Sequence, residues 1–295
     1  MAKLVFDAEG QHFYENGVSK GVLFVKKDDG TYDKGVVWNG LTAVNENPTG
    51  GEASSIYADN IKYLTLMSVE EFEASIEAYT YPDEFSECDG SKEVVEGVYL
   101  GQQKHRAFAM CYRTEIGNDI TSELGYKLHF VYGALASPSD KNHETINDNP
   151  DATSFSWDIT TTPITVNVQG VKPTSHLIVD STKVSAAKMQ AIEDAIYGTV
   201  LADSTLLTPD DIINIINDTT VYTITTTVTN GTYTGATSVA SNDSAQVQLA
   251  ANSGYTLPAN ITVTGANSTY NQTTGVVSLT NATSNVTITA VCTAE

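Results

Sequence analysis

Large apolar residues alternate with small or polar ones through most of the first part of the chain. "RAFAMCYR" (106–113) places Phe108, Met110 and Tyr112 on one side and Ala107, Ala109 and Cys111 on the other. "KLHFVYG" (127–133) repeats the pattern with Leu128, Phe130 and Tyr132, "SFSWDI" (154–159) with Phe155, Trp157 and Ile159, and "ITVNV" (164–168) with Ile164, Val166 and Val168. Alternation with bulky groups on one side predicts half-buried strands. "VLFVKKDDGTYDKGVVW" (22–38) predicts a hairpin turning at Asp29-Gly30. Helical signals are few. Pro82 in "YPDEFSEC" suits a first helical position with acids behind it. "SAAKMQAIEDAIYG" (185–198) spaces Met189, Ile192 and Ile196 helically between a Ser185 cap and a Gly198 stop. "TPDDIINIIN" (208–217) offers Thr208 as cap, Pro209 at the first position and Asp210-Asp211 on the helix dipole. Both helices are expected to end the first domain, packed on its sheets.

One stretch resists this reading. After the strand-like Gly35-Val36-Val37-Trp38, "NGLTAVNENPTGGEASSIYADN" (39–60) shows no clear periodicity. Loops this long are uncommon inside compact domains and usually have a function.

Composition then divides the chain. All 15 Lys and Arg lie at or before Lys188, and past Asp218 the acids reduce to Asp243 and Glu295. From about residue 219 the pattern is all strand: "VYTITTTVT", "AQVQLAA", "NITVT", "GVVSLT" and "NVTITAV", separated by Asn, Gly and Ser turn clusters. Short strands at this spacing predict a small sandwich, with Thr supplying β-propensity without charge. The expected domains are 1–218 and 219–295, the fold class mainly β with a few short helices.

The formal net charge is −21, with 36 acidic residues against 15 basic ones, which disfavours a grip on nucleic-acid phosphates. Cys88, Cys111 and Cys292 are far apart and odd in number, so no disulfide framework or zinc spacing emerges. "MAKLVFDAEGQ" has no apolar core of a signal peptide, and no apolar run approaches membrane-spanning length, so synthesis in the cytoplasm is expected.

Catalytic constellations are weak. His12, His105, His129, His143 and His176 form no HxxxH or HxH pair. His129, alternating with Leu128 and Phe130, is expected at a surface or interface. Cys111 and His105 would share a strand face but lie far apart along it. No GxSxG, Walker or dinucleotide fingerprint occurs. The acidic stretches "NDNPDATSFSWD" (147–158) and "DEFSECDG" (83–90) do not match an EF-hand loop and read as solvated faces. "NIT", "NST", "NAT" and "NVT" read as chance triplets in a Thr- and Asn-rich segment. No cofactor, metal or enzymatic activity is expected.

The segments "WNGLTAVNENPTGGEASSIYADNIKY", "EAYTYPDEFSECDG", "CYRTEIGND", "GYKLHFVYGALASPSDK", "FSWDITTTPI", "HLIVDSTKV" and "AIEDAIYG" together resemble the major tail tube protein of long-tailed bacteriophages of Gram-positive hosts. The resemblance covers roughly the first 218 residues. "GYTLPANITVTGANSTY" followed by "GVVSLTNATSNVTITA" resembles the immunoglobulin-like modules that phages append to virion proteins.

The resemblance implies two packed sheets whose strands join across a ring, typically hexameric. Such rings stack into a hollow conduit for double-stranded DNA at ejection. It also implies a virion location and, as partners, further copies of the chain, a tape measure protein and tail terminator and initiator proteins. Residues 41–56 become an arm covering a neighbouring copy, within a loop spanning about 36–60. Trp38 and Tyr57 anchor its ends, and Asn39, Gly40, Asp59 and Asn60 join the contact. Tyr112, Arg113, Asn118 and Asp119 fall in a family motif. The sandwich would project outward and bind glycans weakly, by avidity. Two other classes stay open: a bacterial surface adhesin or carbohydrate-binding protein, and an acidic hydrolase, which would need a convergent site not seen in the sequence.

Overall fold

Most of the alternating segments of the first part pair into one eight-stranded antiparallel sheet. The computed structural model describes residues 6–143, 145, 152–200, 202–218 and 220–294. The start of the N-terminal segment (1–5) and residues 147–151 of the first acidic stretch lie outside these. In chain order the strands are β1 (Tyr14–Val25), β2 (Val36–Trp38), β3 (Leu41–Glu46), β4 (Thr49–Gly50), β5 (Ala53–Ala58), β6 (Ile61–Met67), β7 (Glu70–Glu71), β8 (Glu73–Ala78), β9 (Lys92–Val95), β10 (Val98–Leu100), β11 (Phe108–Gly117), β12 (Gly125–Ala136), β13 (Phe155–Thr161) and β14 (His176–Asp180). The large sheet runs β2-β1-β11-β12-β13-β8-β3, with β14 also on β12.

One edge of β12 is divided. Its first half, Lys127–Val131, pairs with β14. Its end, Ala134–Ala136, pairs with β13. Gly133 sits at the change of partner with φ +60°, and a Cβ there would lie 2.4 Å from the Thr162 carbonyl oxygen. At the far end of the order, β3 returns towards β1, since a Cβ on Gly21 would lie 2.4 Å from Leu41 Cδ1. The sheet therefore curls, and its concave side holds Trp38, Phe85, Phe108, Met110, Tyr112, Val131 and Trp157. Trp38 packs on Phe85 at 4.6 Å between ring centroids and donates its indole N–H to the Thr80 carbonyl at 2.9 Å.

Three expectations change. β11 and β12 are central strands, so 108–112 and 128–132 are buried on both faces and not on one. "ITVNV" forms no strand; Ile164 makes only an isolated bridge to Thr174, and the flanking Pro163 and Pro173 have no N–H to give a ladder. The segment after Pro82 is a 3₁₀ turn, Asp83–Glu87, with Pro82 as its cap.

The helices form where the caps indicate: α1 (Ala186–Tyr197) stops at Gly198, whose φ is +76°, and α2 (Pro209–Asn217) starts at Thr208 with a reciprocal capping box to Asp211. The tail strands are β15 (Val221–Thr229), β16 (Gly231–Gly235), β17 (Ser238–Ala240), β18 (Ala245–Ala251), β19 (Tyr255–Thr256), β20 (Thr262–Thr264), β21 (Asn267–Asn271), β22 (Val276–Thr280), β23 (Val286–Val291) and β24 (Thr293–Ala294). Eight of them make two four-stranded sheets, β17-β15-β23-β20 and β16-β18-β22-β21, around Ile224, Val247, Leu249, Val277, Leu279 and Ile288, and β19 pairs separately with β24. Its first and last long strands, β15 and β23, pair in parallel.

The chain divides into two compact units, residues 1–182 with 195–206 and residues 183–194 with 207–295. Thus α2 and most of α1 group with the C-terminal strands, where the sequence suggested the body. Lys188 on α1 donates to the Ile216 carbonyl of α2 at 2.6 Å. Among the described residues no helix is long and apolar enough to cross a membrane.

Candidate assembly surface

Residues 41–60, expected as an irregular loop, form three strands of one long hairpin. β3 pairs with β8 inside the large sheet, and the ladder then leaves it through β4 with β7 and β5 with β6. The pairing keeps one register from Ala43↔Glu77 to Ile56↔Leu64 and shifts at the root, between Leu41 and Ala43, and near the tip, between Ile56 and Tyr57. There Asp59 (φ 48°) and Asn60 (φ 63°) close a two-residue turn. Positive φ at both central positions is the geometry of the type I′ hairpin turn, which Asp and Asn tolerate. From Asn47 to Ala58 the arm extends on the order of 35 Å, at about 3.3 Å per residue.

Its side chains are exposed although many are apolar: Tyr57 70%, Ile61 65%, Tyr63 67%, Leu66 53%, Met67 67% and Val69 81%. A two-stranded ribbon is marginal in water without a surface to pack on. A second exposed apolar hairpin, β9–β10, carries Val94, Val95, Val98, Tyr99 and Leu100.

The structure separates the arm residues expected to act together. Trp38 is buried at the root. Asn39 and Gly40 form the turn into β3, with Gly40 at φ +77° and its carbonyl accepting the Tyr79 N–H at 2.9 Å. Tyr57, Asp59 and Asn60 are at the other end, where Tyr57 stands exposed beside the turn.

The four motif residues serve different tasks. Arg113 grips Glu115 with two hydrogen bonds of 2.9 and 3.0 Å and lies 3.8 Å over the Tyr126 ring. Asn118 donates to the Gly10 carbonyl at 3.0 Å. The Asp119 carboxylate accepts the N–H of Gly10 at 3.0 Å and of His12 at 3.2 Å, and these bonds, Gly10's foremost, hold its pKa down at about 2. Together Asn118 and Asp119 clasp residues 10–12 to the β11–β12 loop.

Tyr112 belongs to a polar cluster that the sequence reading missed. It donates to Glu46 Oε1 at 2.8 Å and stacks on His129, with centroids 4.6 Å apart and planes 8° apart. His129, expected at a surface or interface, is 4% exposed within the chain, because it shares the core-facing side of the sheet with Tyr112, its cross-strand partner. His129 Nδ1 lies 3.4 Å from His176 Nε2 and 3.4 Å from Glu46 Oε1, and His176 Nε2 lies 3.4 Å from the same oxygen. Phe72 stacks on His176 at 4.5 Å. Burial lowers the pKa of both imidazoles, against the opposing pull of the Glu46 carboxylate.

The other histidine and acid candidates stay apart. His105 precedes β11, and its Nδ1 lies 2.9 Å from the Cys88 carbonyl oxygen, so it makes no pair with Cys111. Burial pushes the Cys88 thiol up to about 12. Asp89 of the second acidic stretch is engaged by the Trp157 indole N–H at 3.0 Å and by Lys141.

The chain matches no family model and no curated protein. A solved structure described as an extracellular contractile injection system, PVC sheath-tube complex in extended state, is similar at 9% identity. The match covers 60% of this chain and 94% of that one with a TM-score of 0.25, too distant to bear on function.

Proposed function

We propose that the chain is a structural subunit of a phage-type tail tube, assembled by docking the apolar arm of one copy onto the body of the next. The observation that carries this is the exposed apolar ribbon continuous with an edge strand of the main sheet. Exposed edges and apolar patches of this kind invite association unless a partner covers them. A surface on the arm meeting a different surface on the neighbour is a heterologous contact, which closes into a ring where its rotation divides a full turn. The sequence resemblance supplies the rest of the reading: hexameric rings stacked into a conduit, a virion location, tape measure and terminator or initiator partners, and passage of double-stranded DNA. The charge of −21 suits a lumen past which phosphates slide without sticking. The C-terminal sandwich is the outward module, with weak glycan binding as its role.

Hydrogen exchange tests the docking step. Amides of β5 and β6 should exchange rapidly in the monomer and become protected on assembly. Assembly that leaves both strands unprotected removes the arm from the interface.

A further inference from the structure

Glu46, His129 and His176 come from three separate strands, yet one ligand atom of each converges on the others. Glu46 ends β3 at the root of the arm, while His129 on β12 and His176 on β14 are diagonal neighbours across the ladder. All three separations are 3.4 Å. That is long for hydrogen bonds, which cluster near 2.7–3.2 Å. It matches the edge of a tetrahedron around a metal: bonds of about 2.0–2.1 Å to nitrogen and oxygen place neighbouring ligand atoms about 3.3–3.4 Å apart.

We propose that Glu46, His129 and His176 bind a divalent transition ion of the zinc class, leaving one coordination position for water. Two imidazoles and a carboxylate form a borderline donor set that suits zinc, not calcium or magnesium. The surroundings support it. His129 would bind through Nδ1, and its Nε2 lies 3.0 Å from Thr114 Oγ1 and 3.4 Å from Glu15 Oε1. A second-layer oxygen on the remote ring nitrogen is what fixes the ring of a metal-bound histidine. Tyr112 donates to the same oxygen of Glu46 and so orients it towards the two imidazoles. Glu46 is 35% exposed, which gives an ion and its water a way in. The bound ion would tie the arm root to β12 and β14. This inference does not depend on the tail-tube reading.

The test uses the full chain stripped with a chelator and titrated with Zn²⁺ against a chromophoric competitor. One tight equivalent per chain is expected, with a higher melting temperature on loading and no such effect from Mg²⁺. Glu46→Gln, which keeps an acceptor for Tyr112, and His176→Asn should each weaken binding at least about 100-fold. Thr114→Val keeps all three ligands and should weaken it about 10- to 100-fold. Wild type loaded with Co²⁺ should show the intense visible absorption of a tetrahedral site, a readout needing no variant to fold. No tight equivalent, a pale six-coordinate cobalt spectrum, or an affinity unchanged in Glu46→Gln and His176→Asn would overturn the assignment.

Discussion

Replacing Ile61 and Met67 together by serine separates the arm's role in assembly from any role in folding. These side chains are 65% and 67% exposed in the single chain, so about two-thirds of each remains to be buried by a partner. Full burial of such a side chain contributes roughly 1.5–3 kcal/mol. Docking should therefore draw about 1–2 kcal/mol from each, or about 2–4 kcal/mol from the pair. That corresponds to a rise in critical assembly concentration of about 30- to 1,000-fold. Fold stability should change little, since substitutions at exposed positions usually fall within about 0.5 kcal/mol. Sedimentation across a concentration series measures the first quantity and thermal melting of dilute monomer the second. An unchanged critical concentration would refute the docking argument. A large drop in monomer melting temperature would show that the arm packs on its own chain.

Two further outcomes follow from the geometry. Asp119 has a folded-state pKa of about 2, below the usual carboxylate value of about 3.9, so its contribution is fully present above about pH 4 and is lost as pH falls through about 2. Amide protection at Gly10 and His12, followed by NMR, should vanish over that window in wild type and be weak at every pH in Asp119→Asn; identical titrations would remove the clasp. Gly133→Ala puts a methyl 2.4 Å from the Thr162 carbonyl at a left-handed backbone position and should destabilise the first unit by about 2 kcal/mol or more, seen as a lower urea midpoint. An unchanged midpoint would mean that the change of partner along β12 tolerates movement.

The strands that build the core were legible because their own residues carry the alternation, as at Phe108-Met110-Tyr112. The helices were legible from Thr208-Pro209 and Gly198, whose conformational preferences are local. The arm was not, because neither of its faces is buried in the chain. Without a buried face nothing selects alternating residues, and the apolar half of the ribbon, Ile61–Met67, lies beyond the stretch that looked irregular. Its turn was visible in principle, since Asp59-Asn60 between two short runs is an acceptable type I′ pair. The Glu46–His129–His176 cluster was illegible for a different reason. Only register brings His129 opposite Tyr112 and His176 opposite Val131, and only the curl of the sheet brings Glu46 to them. No spacing along the chain encodes either.

The most direct measurement is negative-stain electron microscopy of the purified full chain over a rising concentration series. Hollow tubes of stacked rings are expected, absent at the same concentrations from the Ile61→Ser, Met67→Ser variant. A wild-type sample that stays monomeric throughout, or assembles only into solid or irregular aggregates, would contradict tube assembly.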